Sequence, residues 1–329
     1  MNSIARQEVN IDFVFSSLTF LKYVNFALLI EKTEEGFMKN CIGIRQENKD
    51  LTERRAPLTP THVKKLVDEH QLKVIVEPAE NRVFPEQDYE TAGATISSDL
   101  SESNLILGVK EIPLGKFLPQ MAYCFFSHTI KGQDYNMPML AKMLELNTTL
   151  LDYELVKDDK GRRTVFFGNF AGYAGMIDSL WALGRRLAWE GIDTPFKDVL
   201  PASQYHGLLA AEQAIGEIGK DIEKQGLPSR VTPFVTGFTG YGQVSKGAQH
   251  IFDLLPVERI SPSELISFFE EGQFSAHKVY KVEFYEKDMF KPKDDRKSFD
   301  LPEYFKYPDR YQRNFDQYIP YLTMMINGI

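Results

Sequence analysis

Lys110 and His128 are the residues of this chain best suited to proton transfer. Each closes a short apolar run, Leu105 to Val109 before Lys110 and Tyr123 to Phe126 shortly before His128. Runs of that length and composition read as buried strands. In parallel α/β sheets the ligand crevice lies at the carboxyl ends of the strands, so two such strands would aim an amine and an imidazole into one pocket. Glu111, beside Lys110, and Glu154, at the end of a further predicted strand, add carboxylates. Arg55, Lys131 and Arg163 fall in the loops that follow strands. Guanidinium groups hold carboxylates through paired, charge-assisted hydrogen bonds, so several of them suit a substrate with several carboxylates. Taken singly, each residue has a plainer reading: a satisfied histidine, a solvated lysine, surface arginines. What sets them apart is their common position at the strand ends of one predicted sheet.

A second signal lies at Phe234–Gln249, where a strand runs into Gly-Tyr-Gly. Gly240 and Gly242 fit the first two positions of a G-x-G-x-x-G fingerprint, and Ser245 stands in the third. A first glycine permits the turn, and a second lets backbone approach a pyrophosphate. The helix from about Val244 then presents its amide groups and dipole. The acid that would hold an adenine ribose should end the next strand. That strand reads as Val257 to Ile260, followed by Ser261 and Pro262. With Arg259 near and no acid at the tip, the expectation leans to NADP, with NAD as the alternative.

The elements that must position these groups alternate along the chain. Strands are expected at Cys41–Arg45, Leu72–Val76, Leu105–Val109, Tyr123–Phe126 and Thr149–Tyr153. Helices are expected over about 60–69, 85–92 and 137–146. Thr59 can cap and Pro60 can open the first of these helices. Longer helices follow at about 176–190 and 204–225. This alternation predicts an α/β protein of two Rossmann-like doubly wound domains. Residues 40–165 would form the substrate and catalytic domain. Residues 166–329 would form linking helices and a dinucleotide-binding domain left incomplete at the C-terminus. Residues 1–39 would be an extension, either a targeting segment or a misassigned start, because Lys22 and Asn25 interrupt its apolar run and Glu8 and Asp12 do not suit a presequence.

Composition limits the function classes. The 329 residues are 43% hydrophobic and 26% charged, as in a soluble globular protein with a substantial core. A net charge of −8 argues against nucleic acid as the main partner. The two cysteines, Cys41 and Cys124, lie in or beside apolar runs without C-x-x-C spacing, which points to free thiols in a reducing compartment. The cytoplasm is the expected location, with the mitochondrial matrix as the alternative. The remaining histidines lack ligand spacing, and no metal or membrane association is expected.

Five blocks together resemble the lysine-ketoglutarate reductase part of aminoadipic semialdehyde synthases. They are Glu53–Pro60, Leu105–Lys110, Phe125–Lys131, Asp152–Glu154 and Thr239–Gln249. The chain also resembles, more faintly, the lysine-forming saccharopine dehydrogenases and alanine dehydrogenase. The resemblance implies an alanine-dehydrogenase-like N-terminal domain and NAD(P)H-dependent condensation of L-lysine with 2-oxoglutarate to saccharopine, or the reverse. It implies Lys110 and His128 as the catalytic pair and Glu154 as their electrostatic tuner. Arg55, Lys131 and Arg163 become substrate-binding, and Gly240, Gly242, Val244 and Ser245 cofactor-binding. The alternatives are an amino-acid dehydrogenase of the alanine type and a fragment without turnover. The latter would associate with a separately encoded C-terminal part.

Overall fold

A computed structural model describes residues 40–49 and 52–328; the reading of residues 1–39 lies outside them. The chain divides into two compact units, with the boundary between Phe166 and Phe167.

The first unit is built on six parallel strands: β1 (Cys41–Ile44), β2 (Lys73–Val76), β3 (Thr95–Ile96), β4 (Leu105–Leu107), β5 (Ala122–Phe125) and β6 (Thr149–Asp152). Their order is β3-β2-β1-β4-β5-β6. The chain starts in the middle, moves outward through β2 and β3, then returns to β4 on the other side of β1. This reversal creates a switch point between β1 and β4, where doubly wound sheets bind ligands. The central strands β1, β4 and β5 are buried along their whole length, which explains their uninterrupted apolar sequence.

Helix α1 (Pro60–His70) starts as expected: Thr59 Oγ1 accepts from the His62 amide, and His62 reaches back in a capping box. Helix α2 (Glu86–Thr91) buries Tyr89, whose hydroxyl donates to the Leu58 carbonyl. Helix α3 (Met137–Glu145) packs Met139 and Met143 against Ile106, Tyr123 and Phe125.

In the second unit, helix α4 (Gly168–Trp189) begins eight residues before the expected start. The glycine-rich run Gly168–Gly175 is therefore the opening of this helix. Helix α5 (Leu208–Gln225) follows, then β7 (Phe234–Thr239), α6 (Gln243–Phe252), β8 (Val257–Ile260), α7 (Leu265–Glu271) and β9 (Val279–Phe284). A small antiparallel pair, β10 (Phe290–Pro292) and β11 (Tyr311–Arg313), precedes β12 (Met324–Asn327).

The second sheet is parallel and ordered β12-β7-β9-β8. Helices α4, α5 and α6 cover one face, where Leu180, Ile215 and Ile251 meet Phe234 and Phe238. Val235, Tyr280 and Phe284 point to the other face and pack with Leu265, Phe268, Phe315 and Tyr318. Among the described residues both faces are covered. Aromatic side chains from α7 and from the segment before β12 fill this second face.

Small residues set the contact of α4 with α6. A Cβ on Gly172 would lie 2.1 Å from the Val244 carbonyl oxygen, and one on Gly247 would lie 2.0 Å from that of Asn169. They let α4 lie directly against the helix that follows the Gly-Tyr-Gly turn.

Candidate active site

The carboxyl edge of the first sheet gathers the ionisable groups. β4 and β5 remain paired past their ends: the Gly108 amide donates to the Cys124 carbonyl, and the Phe126 amide to that of Val109. Lys110 and His128 are thus one and two residues beyond the last bonds joining neighbouring strands. Both are half-buried.

Glu47, in the loop after β1, fixes the exit of β4. One carboxylate oxygen accepts from the Val109 amide at 2.8 Å and the other from the Lys110 amide at 2.9 Å. Its side chain is 4% exposed and lies 3.5 Å from Arg45. Burial pushes this carboxyl above the usual carboxylate range, against the opposing pull of Arg45 and the two amide bonds. The space is already filled, since a Cβ on Gly108 would sit 3.0 Å from Arg45 Cδ.

Glu53 is also buried and grips Arg55 through its Nε at 2.8 Å and Nη2 at 2.6 Å. Burial works to raise this carboxyl, but the bonds and charge of Arg55, helped by the charge of Lys110, hold it below its ordinary value. Glu111 behaves likewise. Burial is outweighed by the Lys49 ammonium at 2.7 Å, its own backbone amide and the field of His128, so its carboxyl titrates low.

His128 adopts φ 55°, a left-handed backbone that a non-glycine residue rarely takes. The neighbouring Ser127 hydroxyl donates to Asp152 and meets Thr129 Oγ1 at 2.8 Å. Asp152 also accepts from the Glu154 amide at 2.8 Å, tying the exits of β5 and β6 together. The His128 Nδ1 is buried with no hydrogen-bond partner among the described residues. Its ring meets the edge of Phe126 at 6.2 Å.

Phe126 links this histidine to a second charge group, because the Arg163 guanidinium lies 5.6 Å from the same ring. Glu154 Oε1 stands 3.4 Å from Arg163 and 3.5 Å from Lys131. Its Oε2 is buried with no hydrogen-bond partner among the described residues.

The first unit therefore brings Lys131, Glu154 and Arg163 into one ion cluster beside the ring that His128 touches. Arg55 belongs to a second cluster, with Glu53 and the charge of Lys110. Sequence reasoning missed Glu47 and the positioning role of Asp152. Glu47 sits in a polar loop without periodicity. Its one available signal is an acid shortly after a strand at the switch point.

Gly240, Gly242, Val244 and Ser245 lie in the second unit. Gly240 turns the chain out of β7 with φ 76°, and Gly242 is the N-cap of α6 with no side-chain cap bond. A Cβ on Gly242 would meet nothing within 4 Å, and Val244 is 39% exposed. Open space over uncapped first-turn amides fits a pyrophosphate. Ser245 is fully buried; its Oγ accepts from Gln249 at 3.1 Å, and its Cβ would lie 2.7 Å from one on Gly328, so it serves packing between α6 and the end of β12.

The strand expected to carry the ribose acid is misplaced by the sequence reading. β9, and not β8, lies beside β7, and β8 forms the edge beyond it. Arg259 on β8 is engaged by Glu283 at 3.2 Å and Asp253 at 3.4 Å, and Ser261 bonds to Glu264. The lean to a 2′-phosphate rested on that misplaced neighbour.

Residues 43–174 match the family described as alanine dehydrogenase/PNT, N-terminal domain. The chain is 40% identical over 309 residues to the alpha-aminoadipic semialdehyde synthase of Arabidopsis thaliana, covering 89% of this chain and 29% of that one. It is 40% identical over 292 residues to the synthase of Bos taurus, named mitochondrial, covering 88% and 31%. It is 37% identical over 139 residues to the saccharopine dehydrogenase [NAD(+), L-lysine-forming] of Yarrowia lipolytica, covering 41% and 37%. The chain spans about three-tenths of the length of the synthases it matches. Over most of its length the chain is thus similar to the aminoadipic semialdehyde synthases, over a shorter stretch to the lysine-forming saccharopine dehydrogenases, and residues 43–174 match the N-terminal domain of the alanine dehydrogenase/PNT type.

Proposed function

We propose that the chain is an oxidoreductase of lysine metabolism that joins L-lysine to 2-oxoglutarate, forming saccharopine, or runs the reverse reaction. The observation that carries this reading is the exit of Lys110 and His128 from neighbouring parallel strands beside the switch point. Addition of the lysine side-chain amine to the C2 carbonyl gives a carbinolamine and releases a proton. Loss of hydroxide as water needs that proton returned. Lys110 and His128 are the acid and base for these transfers, and the unbonded Nδ1 of His128 suits the accepting role. The resulting imine gains a hydride at carbon and a proton at nitrogen. A bound nicotinamide dinucleotide supplies that hydride, and Gly240, Gly242 and the amides of Gln243 and Val244 are the groups that would hold its pyrophosphate.

The three substrate carboxylates call for fixed cations. Arg55, Lys131 and Arg163 keep side-chain exposures of 41%, 45% and 39% while their other side is held by Glu53 or Glu154. Each is therefore oriented and still open to a ligand. The family relationship supports the same substrate class.

The test is to supply the full chain with lysine, 2-oxoglutarate and reduced dinucleotide, and to follow saccharopine by mass. Saccharopine with matching loss of reduced cofactor is the expected result. Cofactor oxidation only with ammonia and pyruvate would replace this reading by an alanine-type dehydrogenase. No oxidation in either mixture would leave a binding protein.

A further inference from the structure

We infer that Glu286, at the tip of β9, reads the adenine ribose of the dinucleotide and selects a free 2′-hydroxyl, hence NAD(H) over NADP(H). This rests on the dinucleotide reading of Gly240 and Gly242.

In doubly wound nucleotide sheets the ribose is held from the carboxyl tip of the strand beside the one that enters the glycine turn. Here that strand is β9. Its register places Thr239 opposite Phe284, so Gly240 and Tyr241 leave the sheet alongside Tyr285 and Glu286. Contacts hold the two tips together beyond the last pair. The Tyr241 hydroxyl donates to Glu286 Oε1 at 3.3 Å, and the Tyr241 and Tyr285 rings stack at 5.8 Å and 24°. A half-buried carboxylate is thereby held beside the glycine turn through one of its oxygens.

Such a carboxylate accepts hydrogen bonds from ribose hydroxyls and repels a phosphate dianion at the same position. Within Tyr285–Met289, Lys287 is flanked by Glu286 and Asp288, so the charge of this segment is negative. Glu283, the remaining acid near the end of β9, is turned to Arg259 at 3.2 Å and is not available. The intervening β8 and α7 put Glu286 well past the usual distance along the chain, which is why spacing does not find it.

The experiment titrates the full chain with NADH and NADPH separately, reading nicotinamide fluorescence without substrate. Wild type is expected to bind NADH at least roughly tenfold more tightly, the scale of one charged hydrogen bond gained or lost. Glu286→Gln should cut that preference by a similar factor, and Arg259→Ala should leave it unchanged. NADPH bound as tightly as NADH, or a preference that survives Glu286→Gln, would overturn the inference and leave the dinucleotide site standing. Binding of neither cofactor would overturn both.

Discussion

The carboxyl edges of the two sheets are furnished in opposite ways. At the first, buried and half-buried charges crowd together: Arg45, Glu47, Glu53, Glu111, Glu154 and the residues they hold. At the second, β7 ends in a turn whose second glycine faces open space and whose helix has no side-chain cap. Proton transfer needs acids and bases held in place before substrate arrives, and only fixed partners can do that. A pyrophosphate needs room and backbone amides, so side chains there would obstruct. The difference separates where chemistry is proposed from where a cofactor would be seated.

The largest effects should come from the crowded edge. Lys110→Met and His128→Gln in the full chain should each lower saccharopine turnover by roughly 10²–10⁴-fold, the usual size of a general acid–base contribution. Near wild-type rates for both would erase the contrast between the edges. Glu47→Ala would leave Arg45 buried without its carboxylate and two amides without an acceptor. A loss of about 3–5 kcal/mol, seen as a lower midpoint in urea, is the expected cost of breaking a buried pair. At the open edge, disruption should act through packing. Gly172→Ala drives a methyl group into the Val244 carbonyl, and overpacking of this kind costs about 1–3 kcal/mol. That change should weaken dinucleotide binding by shifting α6, whereas Glu47→Ala should leave the dinucleotide affinity of surviving folded protein intact.

The smallest effect concerns pH. Glu53 and Glu111 titrate below the ordinary 4.5 when folded. Their contribution is therefore complete above the unfolded value and lost as pH falls through the folded ones. Unfolding free energies measured from neutral pH down through the carboxylate range should fall, and Glu53→Gln should make that fall shallower. An unchanged slope would mean Arg55 does not hold this carboxylate in solution.

Strand ends were legible in the sequence wherever an apolar run stopped abruptly at a charge. Lys110, His128 and Glu154 all lie where those stops placed them, because a buried parallel strand tolerates little but apolar residues. Neighbours in the sheet were not legible. β8 follows β7 in the chain yet lies beyond β9, because Val279, Tyr280, Val282 and Phe284 give β9 buried side chains for both faces, while β8 has the half-exposed pattern of an edge. Adjacency is decided by such burial, which no local window records. Glu47 was hidden for a related reason: it belongs to an irregular loop, and its burial is settled by amides more than sixty residues away.

Lys110 and His128 are claimed to act as one unit on one substrate, and a double-variant cycle tests that directly. The kcat/KM for saccharopine formation would be compared among wild type, each single variant and the Lys110→Met, His128→Gln double. Groups that share a proton-transfer sequence are strongly non-additive, so the double should lose little more than the worse single. Losses that multiply would show two independent roles and contradict the shared site.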